Sequence, residues 1–368
     1  MRLPEDDEKY FRDPNAAQLP RHPMEPAILA LLTTNPGFIN EHTIDVVTCS
    51  SVIGSLLDFI TGGDKRFRVL VQSINDTVFF IRRENSAREL IPNVRGFGHT
   101  FPKHNTTWDF ETRGSSSHHR VLSYQFGQLG FLVRFNVDGY ISDSHGDTMQ
   151  HWTTTSPSEL DSLDTLQKFM QSMQVSPART TASAGVRIIG TGEPVDQELI
   201  FELKTRSFRK KDEDTVETYL PRLWSAQIKQ FLLARHDDGV FNEIQLLDVQ
   251  ERVKNWERDR VKALSQLAAI FHQIIAKVHK TPSAKLEIRR VQRNILEVRE
   301  QLPEAGEALS SSTIALWSSQ KSNDKEIIAD SDDDDNIEWY SDSIRDLTAC
   351  SATCGYCGQC IGQGAHAE

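Results

Sequence analysis

The chain has 368 residues, 38% hydrophobic and 25% charged, enough for one large core or two modest ones. No apolar run is long enough to cross a bilayer and no apolar signal segment opens the sequence, so it reads as a globular protein of nucleus or cytoplasm with no membrane partner. The formal charge of −11 sits almost wholly in the tail: residues 301–368 carry 13 acidic and 3 basic side chains, against 39 and 38 in the preceding 300. The balanced body excludes a domain that grips duplex nucleic acid by bulk positive charge and leaves room for a local phosphate site.

Taken in order, residues 1–40 are rich in charge and proline, with helical periodicity only at 27–32, and read as an irregular arm. Structured pattern starts at Ile44, and one domain is expected over 41–300. A strand at 45–49 and a helix at 52–60 are followed by a hairpin whose strands, 67–71 and 77–81, turn at Asn75-Asp76. Residues 96–120 are aperiodic and polar. His118, His119 and Arg120 there read either as a phosphate contact or as a solvated loop tip before the next strand. Apolar runs at 121–126 and 131–137, joined through Gly127 and Gly130, form a strand pair that ends at Asp138.

Residues 142–197 read as an insertion, with helical spacing of apolar residues at 157–173 and a Ser/Thr/Pro linker at 175–184. Gly190-Thr191-Gly192 lacks the further glycine and helix that a phosphate loop requires and reads as a turn. Residues 198–207, ELIFELKTRS, form a short apolar strand. Strand side chains alternate between faces, so Phe201 and Leu203 point into packing while Glu202 and Lys204 share the other face. A carboxylate beside an ammonium can hold a divalent metal and orient a water, or can be a solvated ion pair. Arg209, Lys210 and Lys211 follow, able to hold an RNA backbone or to be a solvated charge run.

A helix is predicted over 219–235, with Leu220, Leu223, Trp224 and Phe231 on its apolar stripe and Gln227 among them, a polar group that must find a hydrogen bond. Residues 243–249 read as a strand or helix start, 251–278 as one long amphipathic helix, and 286–291 with 295–299 as closing strands. Alternating strands and helices without a repeat give a mixed α/β domain.

Strand-Asp138, then strand-Glu202-x-Lys204, then helix-Gln227 is the order of the restriction-endonuclease-like nucleases. More narrowly, Asp138, the run Glu202-Leu203-Lys204-Thr205, and Leu223-Trp224-x-x-Gln227 resemble the later motifs of the eukaryotic decapping exoribonuclease family. Residues 46–48 through 76–80 are similar to its opening strands, and Gly96-Phe97-Gly98-His99-Thr100-Phe101 sits at its Gly-aromatic motif. The resemblance covers roughly residues 45–250. It implies a central mixed sheet flanked by helices, Mg2+ or Mn2+, RNA 5′ ends as substrate, and hydrolysis of phosphodiester or pyrophosphate bonds. Asp138 and Glu202 would ligate the metal, Asn136 would be a weaker ligand, Lys204 would orient the water, and Gln227 would position a ligand or phosphate.

The sequence departs from that pattern in three places. Asn136 stands where the family has Glu, Thr100 lies where it has another Glu, and Ser50 where it has Arg. Asp109 and Glu111 are the available displaced carboxylates. The departures keep two alternatives open: a non-catalytic descendant acting as a binding or scaffold protein with a protein partner, and a DNA nuclease of the same superfold.

The acidic stretch 301–349 reads as a disordered linker; its Asp332–Asp335 run has neither the helical pattern nor the second aspartate motif of a diphosphate-binding synthase. Cys350, Cys354, Cys357 and Cys360 lie within eleven residues and read as a Zn2+ or iron–sulfur site at 350–360, or as free thiols of a tail.

Overall fold

The computed structural model describes residues 2–142, 182–183 and 186–321. The expected insertion helix at 157–173, the aspartate run and the four tail cysteines lie outside the described residues.

Two sheets meet at Asp138. The larger has seven strands in the order β13-β12-β2-β3-β1-β5-β4 and the smaller four, β11-β10-β9-β6. In the larger sheet β1 (Val46–Cys49) runs parallel to β3 (Thr77–Arg83) and β5 (Leu129–Val137), the rest antiparallel: β2 (Phe67–Ile74), β4 (His118–Phe126), β12 (Lys285–Arg290) and β13 (Glu297–Glu300). In the smaller, β9 (Ile200–Ser207) lies between β6 (Gly139–Tyr140), antiparallel, and β10 (Gln230–Asp237), parallel; β11 (Val240–Asp248) closes the edge. A two-residue pair, β7 (Ala182–Ser183) with β8 (Val186–Arg187), stands apart.

The main core lies between the large sheet and the helices Ser50–Ile60, Thr215–Ala226 and Val261–Lys280, with Phe80, Phe131 and Phe271 fully buried and stacked edge to face. The opposite face is covered by chain predicted to be irregular. Met24, Ile28 and Leu32 of helix Glu25–Thr34 and its N-terminal flank meet Leu309, ahead of helix Ser311–Lys321, and Trp317 within it. The irregular arm and the domain end at 300 are therefore corrected: residues of both flanks are buried in one cluster with Val47, Leu70 and Phe79 of the large sheet.

Three further boundaries differ from expectation. Residues 96–120 hold a helix, Thr100–Asn105, and the start of β4, so His118–Arg120 are strand residues rather than a loop tip. The long helix breaks at Arg260 into Gln250–Asp259 and Val261–Lys280. The helix predicted over 219–235 begins earlier and stops at Ala226, because Gln227 adopts a left-handed conformation (φ 51°) and the Ile228 N–H turns back onto the Leu223 carbonyl at 2.9 Å. Phe231 then belongs to β10, its apolar neighbours serving a strand.

Candidate active site

Chain order delivers Asp138 and Glu202 to one place. Asp138 is the single residue between β5 and β6, where the chain passes from one sheet to the other. Gly139 must follow it: a Cβ there would lie 2.4 Å from the Phe201 ring. Gly139 pairs with Phe201, which lets Asp138 Oδ2 accept the Leu203 N–H at 2.9 Å. On β9 the alternation is as expected. Phe201 and Leu203 pack with Leu3, Phe97 and Phe101, whereas Glu202 is fully buried on the other face.

Glu202 sits between two cations. Lys204 Nζ lies 2.5 Å from Oε1, and Arg222 Nε of helix Thr215–Ala226 donates to Oε2 at 2.7 Å. The Lys204 contact is an ion pair without hydrogen-bond alignment, which leaves Oε1 buried and unsatisfied as an acceptor. Lys204 Nζ also lies 3.4 Å from Asp138 Oδ2, and Arg222 Nη2 donates to the Asn136 carbonyl at 3.2 Å. Burial by itself would lower the Lys204 pKa; the Asp138 and Glu202 carboxylates outweigh it and hold the ammonium above its ordinary value. Arg222 is raised likewise, Glu202 and Asp138 overcoming its burial. Tyr219, one turn before Arg222, places its ring 4.9 Å from Lys204 Nζ and 5.8 Å from the Arg206 guanidinium, and its hydroxyl accepts from Arg206 Nη2 at 3.2 Å. Glu202, Lys204 and Arg206 thus form one row along β9, roofed by Tyr219 and Arg222.

Asp138, Glu202 and Lys204 converge; the other expected residues are placed elsewhere. Gln227 caps the helix that it was expected to stripe, its side chain donating to the Trp224 carbonyl at 2.6 Å. Asn136 shares its face of β5 with Leu132 and Arg134, and Arg134 donates to the Pro23 carbonyl; it reaches the site through its backbone. His119, opposite Asn136 in register, has its ring against Asn15, and Arg120 Nη1 donates to the Val195 carbonyl at 2.7 Å. Burial, then the nearby Arg134, pull the His119 pKa down to about 4. His118 turns its ring edge to Tyr140. Arg209, Lys210 and Lys211 follow the end of β9 as exposed residues, Lys210 paired with Glu213.

At the departures from the family pattern, Thr100 donates its N–H to Asp6 at 2.8 Å and Ser50 opens a buried helix. Asp109 accepts from the Tyr140 hydroxyl, and Glu111 from the Gly192 N–H at 2.9 Å, so both displaced carboxylates are engaged away from Glu202. An enclosed cavity lined by Arg21, Gln72, Arg83, Gln301 and Glu307 includes none of the site residues.

Sequence reasoning missed Arg222, Arg206 and Tyr219. Tyr219 and Arg222 are three apart on a helix and so share a face, beside rather than on the apolar stripe. That spacing signals a shared partner without saying which strand supplies it.

A divalent cation fits this donor set poorly. Two carboxylates and substrate phosphates can hold magnesium. Here, however, one carboxylate is already matched by two cations, and Asp138 spends Oδ2 on Leu203 and Lys204. Among the described residues no three His, Cys, Asp or Glu side chains converge on a common point.

A family profile described as a domain of unknown function, DUF8563, matches residues 1–289. The chain belongs to the DUF8563 family. No curated protein matches its sequence. Among solved structures, Rai1 of Scheffersomyces stipitis in complex with (3′-NADP)+ and calcium ion is similar at a TM-score of 0.50 and 12% identity, over 80% of this chain and 79% of that one. Rai1 of S. pombe in complex with 3′-FADP matches at 0.48 and 10% (75% and 77%), and Dxo1 of K. lactis in complex with manganese at 0.42 and 9% (74% and 71%). At such identities the shared feature is the fold. This DUF8563 chain has a mixed α+β fold like that of Rai1, two mixed sheets flanked by helices, carried by a strongly diverged sequence.

Proposed function

We propose that this protein holds the phosphorylated 5′ end of RNA on the cationic face formed by Lys204, Arg206 and Arg222, without cutting it. The observation that carries this reading is the double neutralisation of Glu202, by Lys204 at 2.5 Å and Arg222 at 2.7 Å. A buried carboxylate matched by two cations has no charge left over for a metal, and removing either partner costs more than the pair contributes. With Asp138 the four charges balance. Arg206, which donates to the Thr205 carbonyl and the Tyr219 hydroxyl rather than to a carboxylate, then leaves the face net positive towards a phosphate, a group that guanidinium forks bind in bidentate fashion. The fold supports RNA as the ligand, and the balanced body supports a local site over a duplex-binding surface.

Metal-dependent hydrolysis is the second reading. It is favoured by the convergence of Asp138, Glu202 and Lys204 and by the unaligned Glu202 Oε1. One experiment separates the two: 5′-triphosphate, 5′-capped and 5′-hydroxyl RNAs, and single-stranded DNA, are incubated with the protein in chelator and in manganese, beside Glu202→Ala/Lys204→Ala. The expected result is tighter binding of 5′-phosphorylated than 5′-hydroxyl RNA in chelator, intact RNA in manganese, and no manganese-induced rise in melting temperature. Cleavage that requires manganese and disappears in the double variant would replace binding with hydrolysis; cleavage of DNA alone would favour a DNA nuclease. Arg222→Ala leaves Glu202 with one cation, and in this variant manganese is expected to raise the melting temperature.

A further inference from the structure

The charged row along β9 does not end at Arg206. Arg206 and Arg235 are register partners on the parallel strands β9 and β10, so their side chains leave the sheet on the same face. Over that face, Thr215, Tyr219 and Arg222 lie on one side of helix Thr215–Ala226, at spacings of four and three residues. Arg222 meets Glu202, and Tyr219 meets Lys204 and Arg206. The helix therefore runs against the direction of β9, and Thr215, the next position on its face, lies towards the Arg206 end of the row. Two buried polar groups at that end are idle. The hydroxyl of Thr215, a residue 5% exposed, and Nη1 of Arg235, whose side chain is 13% exposed, have no hydrogen-bond partner among the described residues. A buried donor left alone bears the full cost of its lost solvation, so two such groups at one end of a row call for an acceptor.

The charge around them selects the kind of acceptor. Glu243, opposite Arg235 on β11, places Oε1 3.5 Å from Arg235 Nε. Arg206 donates to the Thr205 carbonyl and the Tyr219 hydroxyl. Across these three strands two guanidiniums thus share one carboxylate, which leaves one positive charge in excess. The acids at the start of the helix do not cancel it. Asp214 and Glu217 are paired with Arg252 at 2.6 and 3.8 Å, and Asp214 accepts the Glu217 N–H at 3.3 Å as the helix cap. Because the cap occupies that end of the helix, the donors left for a ligand are side chains.

We infer that Arg206, Arg235 and Thr215 form an oxyanion position that takes a phosphate group at the carboxyl ends of β9 and β10. Guanidinium forks match the oxygens of a phosphate, and the hydroxyl adds a donor from the helix side. The carboxyl ends of adjacent parallel strands are also where open α/β sheets take their ligands. This rests on the phosphate-holding reading above and deepens it, because it sets the phosphate at the Arg206 end of the face and adds two residues, Arg235 and Thr215, to those that hold it.

The test titrates inorganic phosphate, and separately a 5′-phosphorylated RNA, into the full chain by calorimetry in chelator, with chloride at equal ionic strength as the control. The proteins are the wild type, Arg235→Gln, Thr215→Val, Thr215→Ser and Lys204→Ala. The wild type is expected to bind phosphate saturably. Arg235→Gln and Thr215→Val should each bind it about 10-fold more weakly, the low end for one hydrogen bond to a charged group, while Thr215→Ser keeps the affinity. Without phosphate, Thr215→Val should melt no lower than the wild type, because it removes a buried hydroxyl that bonds nothing. A response to phosphate no larger than that to chloride, or wild-type phosphate affinity in both Arg235→Gln and Thr215→Val, would overturn the site. If RNA binding were then still weakened in Lys204→Ala, the 5′-end reading would survive without it. Phosphate binding that needs Arg235 and Thr215, with RNA held equally by the wild type, Arg235→Gln and Lys204→Ala, would keep the site and overturn the 5′-end reading. A Thr215→Val protein that melts lower and binds phosphate normally would assign the hydroxyl to packing and overturn its part in the site.

Discussion

His119 illustrates how a residue can look like a ligand contact in the sequence and be a packing element in the fold. Its Nε2 accepts from Asn15 Nδ2 at 3.2 Å, a bond that requires the neutral ring, and burial with Arg134 nearby holds its pKa at about 4 against an ordinary 6.5. The unfolded chain takes up this proton near pH 6.5 and the folded chain only near 4. The stability that His119 contributes is therefore complete above pH 6.5 and declines as pH falls from about 6.5 to about 4. Urea midpoints at pH 7.5 and 4.5 should show a smaller acid loss in His119→Gln than in the wild type; equal losses would place the titration elsewhere. At this scale Glu202 and Lys204 were legible because a strand has a period of two, which puts them on one face whatever else the chain does. Arg222 was not, because its partner is twenty residues away on another element and no period links a helix face to a strand. Asn136 was legible as a departure, while its side chain's place on the face opposite the site depends on β5 lying over the N-terminal helices.

Among the elements, β6 decides whether the site forms. It is two residues long, and Gly139 lies against the Phe201 ring so closely that a Cβ would approach to 2.4 Å. Gly139→Ala should therefore push β6 off β9, cost about 1–3 kcal/mol in overpacking, and lengthen the Asp138–Leu203 hydrogen bond. Urea unfolding reads the first effect. Weakened binding of 5′-phosphorylated RNA at a temperature where the variant is fully folded reads the second. Wild-type stability would mean that Phe201 has room to turn aside. The hairpin of β2 and β3 and the pair β4–β5 were legible from apolar runs bounded by Asn75-Asp76 and Gly127. The end of the helix before Gln227 was not: Phe231 continues its helical spacing by coincidence, while the chain reverses through a non-glycine left-handed residue that no sequence pattern signals. The break at Arg260 is similar, since the apolar stripe runs across it.

At the scale of the whole molecule, the two flanks read as arm and linker are one structure, held by a buried carboxylate. Glu25 is 1% exposed and accepts three hydrogen bonds from the segment that opens the last described helix: the Ser310 N–H at 2.8 Å, the Ser310 hydroxyl at 2.6 Å and the Thr313 hydroxyl at 2.9 Å. Charge-assisted bonds of this kind contribute more than neutral ones, and a buried acceptor or donor left alone bears the full cost of its lost solvation. Composition could not reveal this, because Glu25 looks like one of many surface charges and Ser310 like part of a polar linker; only their separation by 285 residues makes them a clasp. Glu25→Gln and Ser310→Ala should each destabilise by about 1–3 kcal/mol. Because they break the same contacts, the double variant should cost at least about 0.5 kcal/mol less than the two single costs combined. A chain ending at residue 300 lacks Ser310, Thr313 and the fully buried Trp317, and should unfold at a lower urea concentration than one ending at 321, with Met24 and Ile28 stripped of their cover. Additive single variants together with equal midpoints for the two truncations would return the flanks to the status of arm and linker. Coupling in the first with a gap in the second makes the folded unit reach from the first helices to Lys321, with the candidate site on a scaffold closed at both ends.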